Sequence, residues 1–185
     1  MQTTQLNTSA DPAAPHIALQ YVQRIVLRNA LALAFTTGRR LVLPRLWALC
    51  ERHWWQLRDC RTPGVELLPM PYEAPLDLIF DAARWASIRS VKFVESSFVD
   101  HPLAPAELRT SVAAIRTSRA TGGAAGAEAV FEVPTGISFD DVAAQLPTAP
   151  REAKLLEIDV HSLLAFSRCG FSSSATGLRF QEQVR

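Results

Sequence analysis

Charge of one sign is what this sequence most lacks. Its 19 basic and 18 acidic residues leave a formal net charge of +1 over 185 residues. No strong field of either sign is present to gather nucleic acid or an acidic lipid surface. Long hydrophobic runs are also missing. The best candidate for a membrane span, Ile17 to Thr37, contains Gln20, Gln23, Arg24, Arg28 and Asn29. Each arginine there would cost roughly 2.5–3.5 kcal/mol on an insertion scale, so no membrane segment is expected. Cysteine is sparse: Cys50, Cys60 and Cys169, without a CxxC pair. That pattern fits neither a zinc site nor a dense disulfide framework. Partly buried free thiols are the plainer expectation, and a Cys50–Cys60 bridge, which needs an oxidising lumen, is the alternative.

Residues 1–14 have no basic start and no apolar core of a secretory leader. They are expected to form a disordered tail ahead of one domain over 15–185. As written, the chain is expected to have no route into the secretory pathway, hence to be soluble and cytoplasmic if complete. With 48% hydrophobic and 20% charged residues the composition is that of an ordinary globular domain. Twelve prolines predict short elements and frequent loops.

Helical spacing dominates 16–37. Ile17, Tyr21 and Ile25 form one apolar row and Val22, Val26 and Ala30 another, beside a polar stripe of Gln20, Arg24 and Arg28. This predicts a wide-faced, mostly buried helix with Gly38 in the left-handed position just past its end. The run "RRLVLP" then reads as a buried strand. A helix fed straight into an apolar strand is α/β grammar, so we expect an α/β fold with a small, mostly parallel sheet flanked by helices in a single domain.

Further on, 45–59, with three of the four tryptophans, reads as a second helix. Four prolines at 63, 69, 71 and 75 leave room only for a short strand at Val65 to Leu68. A short helical segment over 75–87, a strand over 89–98 and a helix over 104–118 follow. The small-residue stretch 119–128 reads as a linker. A strand at 129–134, a helix capped by Ser138, a strong buried strand at 153–160 and a short helix after it complete the pattern.

Chemical motifs are few. "TGGAAG", 121–126, lacks the GK[ST] of a phosphate loop and is expected to precede a strand rather than follow one, so it reads as a flexible linker. No Asp-x-Asp pair is present to hold a divalent ion against a diphosphate, and Asp140–Asp141 reads as helix N-terminal charge. Glu157 and Asp159, on one face of a strand, are a rim site, or else a solvent-facing edge or a salt bridge. His161 follows a strong strand, where open α/β sheets carry ligands, but a capping or surface role is the plainer reading. "CERHWWQLRDC" mixes basic and aromatic residues. Near-neutral charge argues against single-stranded nucleic acid there, in favour of core or a sugar-facing wall. Arg28–Asn29 is a partly exposed stripe or a helix-to-loop hydrogen-bond anchor, or alternatively an anion- or sugar-binding pair near the following strand.

Five blocks carry a resemblance through their order and spacing: "LRNALALAFTTGRRLVLPRLW", "CERHWW", "PLDLIFD", "ESSFVDHPLAP" and "LLEIDVHSLLAFSRCGF". From about residue 16 to its end the chain resembles the C-terminal part of plant and algal family 77 glycosyltransferases, the extensin arabinosyltransferases and their relatives. The resemblance implies a Golgi enzyme that moves an arabinose-like sugar from a nucleotide sugar to a cell-wall glycoprotein or polysaccharide. A divalent metal such as manganese is implied for the full family, and no cofactor is expected in this chain. The family's membrane anchor and Asp-x-Asp donor site lie upstream of the matched part and are absent here. The chain is therefore expected to be an incomplete or non-catalytic relative. Arg28, Asn29 and Asp77, inside matching blocks, are the substrate-binding candidates. A non-catalytic binding or scaffold domain that supports such an enzyme is the alternative.

Overall fold

The computed structural model describes residues 14–48, 51–52, 55–56, 59–60, 68–69, 72–87, 91–117, 127, 129–166 and 171. The sequence-based expectations for the N-terminal tail, Cys50, Cys169, the linker at 119–126 and the chain after 171 lie outside these residues. The chain falls into two compact units. One holds Met1–Ile25 and Arg45–Trp85, the other Val26–Pro44 and Ala86–Arg185.

In chain order, α1 (Ala14–Thr37) leads to β1 (Leu41–Val42), then β2 (Leu46–Ala48), β3 (Glu51–Arg52), β4 (Trp55–Gln56), β5 (Asp59–Cys60), β6 (Leu68–Pro69) and β7 (Tyr72–Ala74). Next come α2 (Leu76–Ile79), α3 (Ala82–Ala86), β8 (Phe93–Val94), α4 (Ser97–Asp100) and α5 (Glu107–Thr110). The last third is β9 (Val112–Thr117), β10 (Ala129–Val133), α6 (Phe139–Gln145), α7 (Thr148–Glu152), β11 (Leu155–Ile158) and α8 (Val160–Leu164). Helices with small parallel and antiparallel sheets make this an α/β architecture.

The first unit is built of antiparallel ribbons: β2 with β7, β3 with β4, and β5 with β6. The helix expected over 45–59 is therefore a series of short strands. Pro44 disfavours helical backbone just before it, and its tryptophans suit a pleated surface. Leu46 and Ala48 point inward on either side of an exposed Trp47, the alternation of a half-buried strand. Gln23 of α1 finishes the job. Its amide donates to the Trp47 carbonyl at 2.9 Å and accepts the Trp47 N–H at 2.5 Å, as a neighbouring strand would.

In the second unit, α1 from Val26 to Ala34 is buried apart from Arg28, with Ala32 only 1% exposed. The first half of the helix differs from the wide buried face expected, because Ile17 and Tyr21 are exposed. Arg24 and Arg28 do face solvent as their stripe requires. No described helix is long and apolar enough to cross a membrane. Gly38 ends the helix at φ +66°. Its N–H reaches the Phe35 carbonyl, and the Arg39 N–H reaches that of Ala34, the paired bonds of a Schellman cap. No atom lies near where a Cβ would stand on Gly38, so Gly38→Ala meets only the left-handed backbone penalty. It is expected to lower stability by about 1–2 kcal/mol in a denaturant titration.

Beyond the cap, β1 pairs in parallel with β8. A second parallel sheet has the order β10-β9-β11. Its middle strand is the main departure from the sequence reading, which expected a helix through 118. Three alanines favoured that expectation. Burial decides otherwise: Ala113, Ala114 and Ile115 are all 1% exposed or less. Successive strand residues point to opposite faces, so both faces are covered and small side chains suit the closeness. Helix α7 packs on β9 and β10, and α8 packs on β9. The edge strand β10 alternates instead, with Val130 and Glu132 exposed. Arg39 closes this unit by donating from one guanidinium nitrogen to the carbonyls of Pro150, Arg151 and Ala153 at 2.7–3.0 Å. Burial lowers the pKa of this guanidinium from its ordinary value. Those carbonyls end α7 and have no helical partner. Arg39→Ala is expected to destabilise by about 2 kcal/mol, and Arg39→Lys to recover only part of it.

Candidate functional site

The connections of the parallel sheet define a place for a ligand. From β9 the chain passes to β10 on one side. From β10 it returns through α6 and α7 to β11 on the other side of β9. The carboxyl ends of β9 and β11 thus flank a topological switch point. Open α/β sheets bind ligands in the crevice that such a reversal leaves.

Four side chains meet there. Register pairs Ile115 with Ile158, so one residue further along Arg116 stands beside Asp159. Arg116 Nη1 donates to Asp159 Oδ2 at 2.5 Å, with the two side chains 12% and 24% exposed. Asp159 has left the strand and caps α8, its Oδ1 accepting the Ser162 N–H at 2.9 Å. The Ser162 hydroxyl donates to Asp159 Oδ2 at 2.8 Å and accepts the Thr117 N–H at 3.0 Å. A helix side chain thereby replaces the strand partner that β9 loses where β11 ends.

Burial alone would raise the Asp159 carboxyl. The Ser162 N–H, the Ser162 hydroxyl and Arg116 outweigh it and hold the group below its ordinary value. Ser162 is fully buried and its hydroxyl is committed on both sides, so it is no nucleophile. Arg116 Nε is buried with no hydrogen-bond partner among the described residues. A buried N–H left in this way costs about 1–3 kcal/mol unless an acceptor reaches it. The cluster offers a positioned guanidinium and no evident acid–base machinery.

Two of the sequence-predicted residues touch each other. Arg28 donates through Nε and Nη2 to Asn29 Oδ1 at 3.0 and 2.8 Å. Asn29, 1% exposed, donates from Nδ2 to the Leu163 carbonyl at 2.7 Å, in the last turn of α8. Asn29 is thus a hydrogen-bond anchor, to the end of a helix rather than to a loop, while Arg28 is exposed as a polar stripe requires. Asp77 is exposed in the first turn of α2 and belongs to the other unit. His161 is exposed on α8. Glu157 and Asp159 do not share a strand face, because β11 stops at Ile158. The sequence reading missed Arg116, Thr117 and Ser162. Arg116 lay in a segment read as helix, and only the Asp159-x-x-Ser162 spacing, a capping pattern after an apolar run, could have marked the place.

The segment 121–126 also has a different context from the one expected. It follows a strand, β9, as well as preceding β10, though its own structure lies outside the described residues. Among the described residues, no group of three or more His, Cys, Asp and Glu side chains could hold a metal ion. Asp159, the carboxylate at the switch point, is already committed to Arg116 and Ser162. The described residues therefore do not fit the divalent ion that the family resemblance implies, and no step below runs through one. Comparison with protein-family models, with curated proteins and with solved structures finds no match to this chain.

Proposed function

We propose that this chain is a glycosyltransferase-related domain that receives a nucleotide sugar at the switch point of its parallel sheet. The observation that carries the reading is Arg116, held at the carboxyl end of the central strand with a buried, unpartnered Nε–H. A guanidinium in that position suits a diphosphate, which accepts hydrogen bonds from a planar fork. In this reading the parent activity is transfer of an arabinose-like sugar to a cell-wall glycoprotein or polysaccharide in the Golgi. The catalytic groups are not among the four side chains of the cluster, so donor binding is the activity assigned to this chain.

One observation favours a second reading. Apart from Arg116 Nε, the polar groups of Arg116, Asp159, Ser162 and Thr117 satisfy one another, an arrangement that also suits a structural staple in a scaffold domain. Thermal unfolding against a panel of UDP- and GDP-sugars with manganese separates the two. Donor binding predicts stabilisation that grows with ligand concentration. The absence of any shift with every donor leaves only the scaffold.

A further inference from the structure

A cavity of about 350 Å³ opens in the second unit, among α1, β1, β11 and α8. Its walls are Leu33 and Ala34 of α1, Leu41 of β1, Leu156 and Ile158 of β11, and Leu163 of α8. At roughly 30 Å³ for each small group it holds about a dozen heavy atoms. Four polar residues line it: Thr37, Arg39, Arg40 and Glu157. Two of them are committed. Thr37 Oγ1 donates to the Leu33 carbonyl at 2.6 Å, and Arg39 holds the three carbonyls that end α7. Arg40 and Glu157 are exposed, and neither side chain makes a hydrogen bond or ion pair with the described residues. One cation and one anion, both unspent, therefore border an apolar interior. An apolar pocket with a few convergent polar groups is the usual form of a small-molecule site.

The charges decide the ligand class. A fatty acid would meet Arg40 but also the Glu157 carboxylate. An amine would meet the reverse. A group bearing both charges on adjacent atoms satisfies the pair. We infer that this cavity binds a free α-amino acid with a large apolar side chain, its carboxylate on Arg40 and its ammonium on Glu157. The side chain fills the space between α1 and β11. A leucine- or phenylalanine-sized body matches the volume, and a bare sugar would leave its hydroxyls against leucine and alanine walls without partners.

Ile158 and Leu163 of the cavity wall adjoin Asp159 and Ser162 of the switch point, but the cavity's ligand is not a nucleotide sugar, so the two readings are tested with different ligands. Isothermal titration of the purified chain with L-phenylalanine is expected to give a Kd below about 1 mM, within reach of a ligand of a dozen heavy atoms. 3-Phenylpropionate, which lacks the ammonium, and phenethylamine, which lacks the carboxylate, are each expected to bind at least tenfold more weakly. Arg40→Ala and Glu157→Gln change exposed positions and leave the fold intact. Each is expected to weaken phenylalanine at least tenfold. No binding of phenylalanine or leucine at about 10 mM overturns the inference. So does 3-phenylpropionate or phenethylamine binding as tightly as phenylalanine, or unchanged affinity in either variant.

Discussion

Asp159→Ala is expected to lower the stability of the second unit by about 3–4 kcal/mol. The side chain does three things at once: it pairs with Arg116, caps α8 through the Ser162 N–H and accepts the Ser162 hydroxyl. Removing one partner of a largely buried ion pair leaves the other charge uncompensated, at about 3–5 kcal/mol. Partial exposure of Asp159 puts this case at the low end, and the lost cap adds about 1 kcal/mol. Guanidinium titration measures the sum. Combining Asp159→Ala with Arg116→Met removes both charges and is expected to recover a good part of the loss, because the stranded guanidinium is the main cost. The pH dependence has a definite sign. The folded-state pKa of Asp159 lies below its unfolded value near 4. Its contribution is therefore complete above about pH 5 and is lost as pH falls through the folded pKa. The gap between wild type and Asp159→Ala should be constant from about pH 5 to 7 and should narrow toward pH 3.

Phe139→Ala is expected to cost about 4 kcal/mol. Phe139 is 2% exposed and begins α6, the first helix of the return from β10 to β11. Its ring lies 4.8 Å from that of Phe166 and 5.7 Å from that of Phe171. Large-to-small truncation in a core costs about 3–5 kcal/mol, and aromatic pairs add about 0.5–1.5 kcal/mol beyond their area. For a chain of this size the melting temperature should fall by on the order of 10 °C. A fall of only a degree or two would mean that this aromatic cluster does not support the crossover. Phe139→Leu, which keeps most of the volume, should lose less than half as much.

The parts of the fold that were legible in the sequence are those where a local signal has one physical meaning. Gly38 after an apolar helix can hardly be anything but its left-handed cap, and it is. Ser138 ahead of two acids reads as an N-cap, and its hydroxyl accepts the Asp141 N–H. The runs at 129–133 and 155–158 are strands because β-branched and apolar residues repeat there without helical spacing. The central strand was hidden because its alanines favour a helix locally, and only burial on both faces selects the strand. The tryptophan-rich ribbons were hidden likewise, since the Gln23 amide that pairs with Trp47 lies 24 residues away. The switch-point cluster was hidden with the central strand. Arg116 meets Asp159 through the parallel register of β9 and β11, 43 residues apart, and no spacing within either segment announces it. Asn29 was legible as a polar residue inside an apolar helix, and its burial was not. Its partner, a carbonyl at the end of α8, was not.

The proposed ligand site of this chain is the switch point between β9 and β11. The direct measurement is an amide-resolved NMR titration of the second unit's strands, within the full chain, with UDP- and GDP-sugars in the presence of manganese replaced by magnesium to avoid line broadening. The account predicts saturable shifts at Arg116, Thr117 and Ser162 with at least one donor, and their loss in Arg116→Met under conditions where that variant keeps its remaining spectrum. Shifts confined to other residues, or none with any donor, would contradict it.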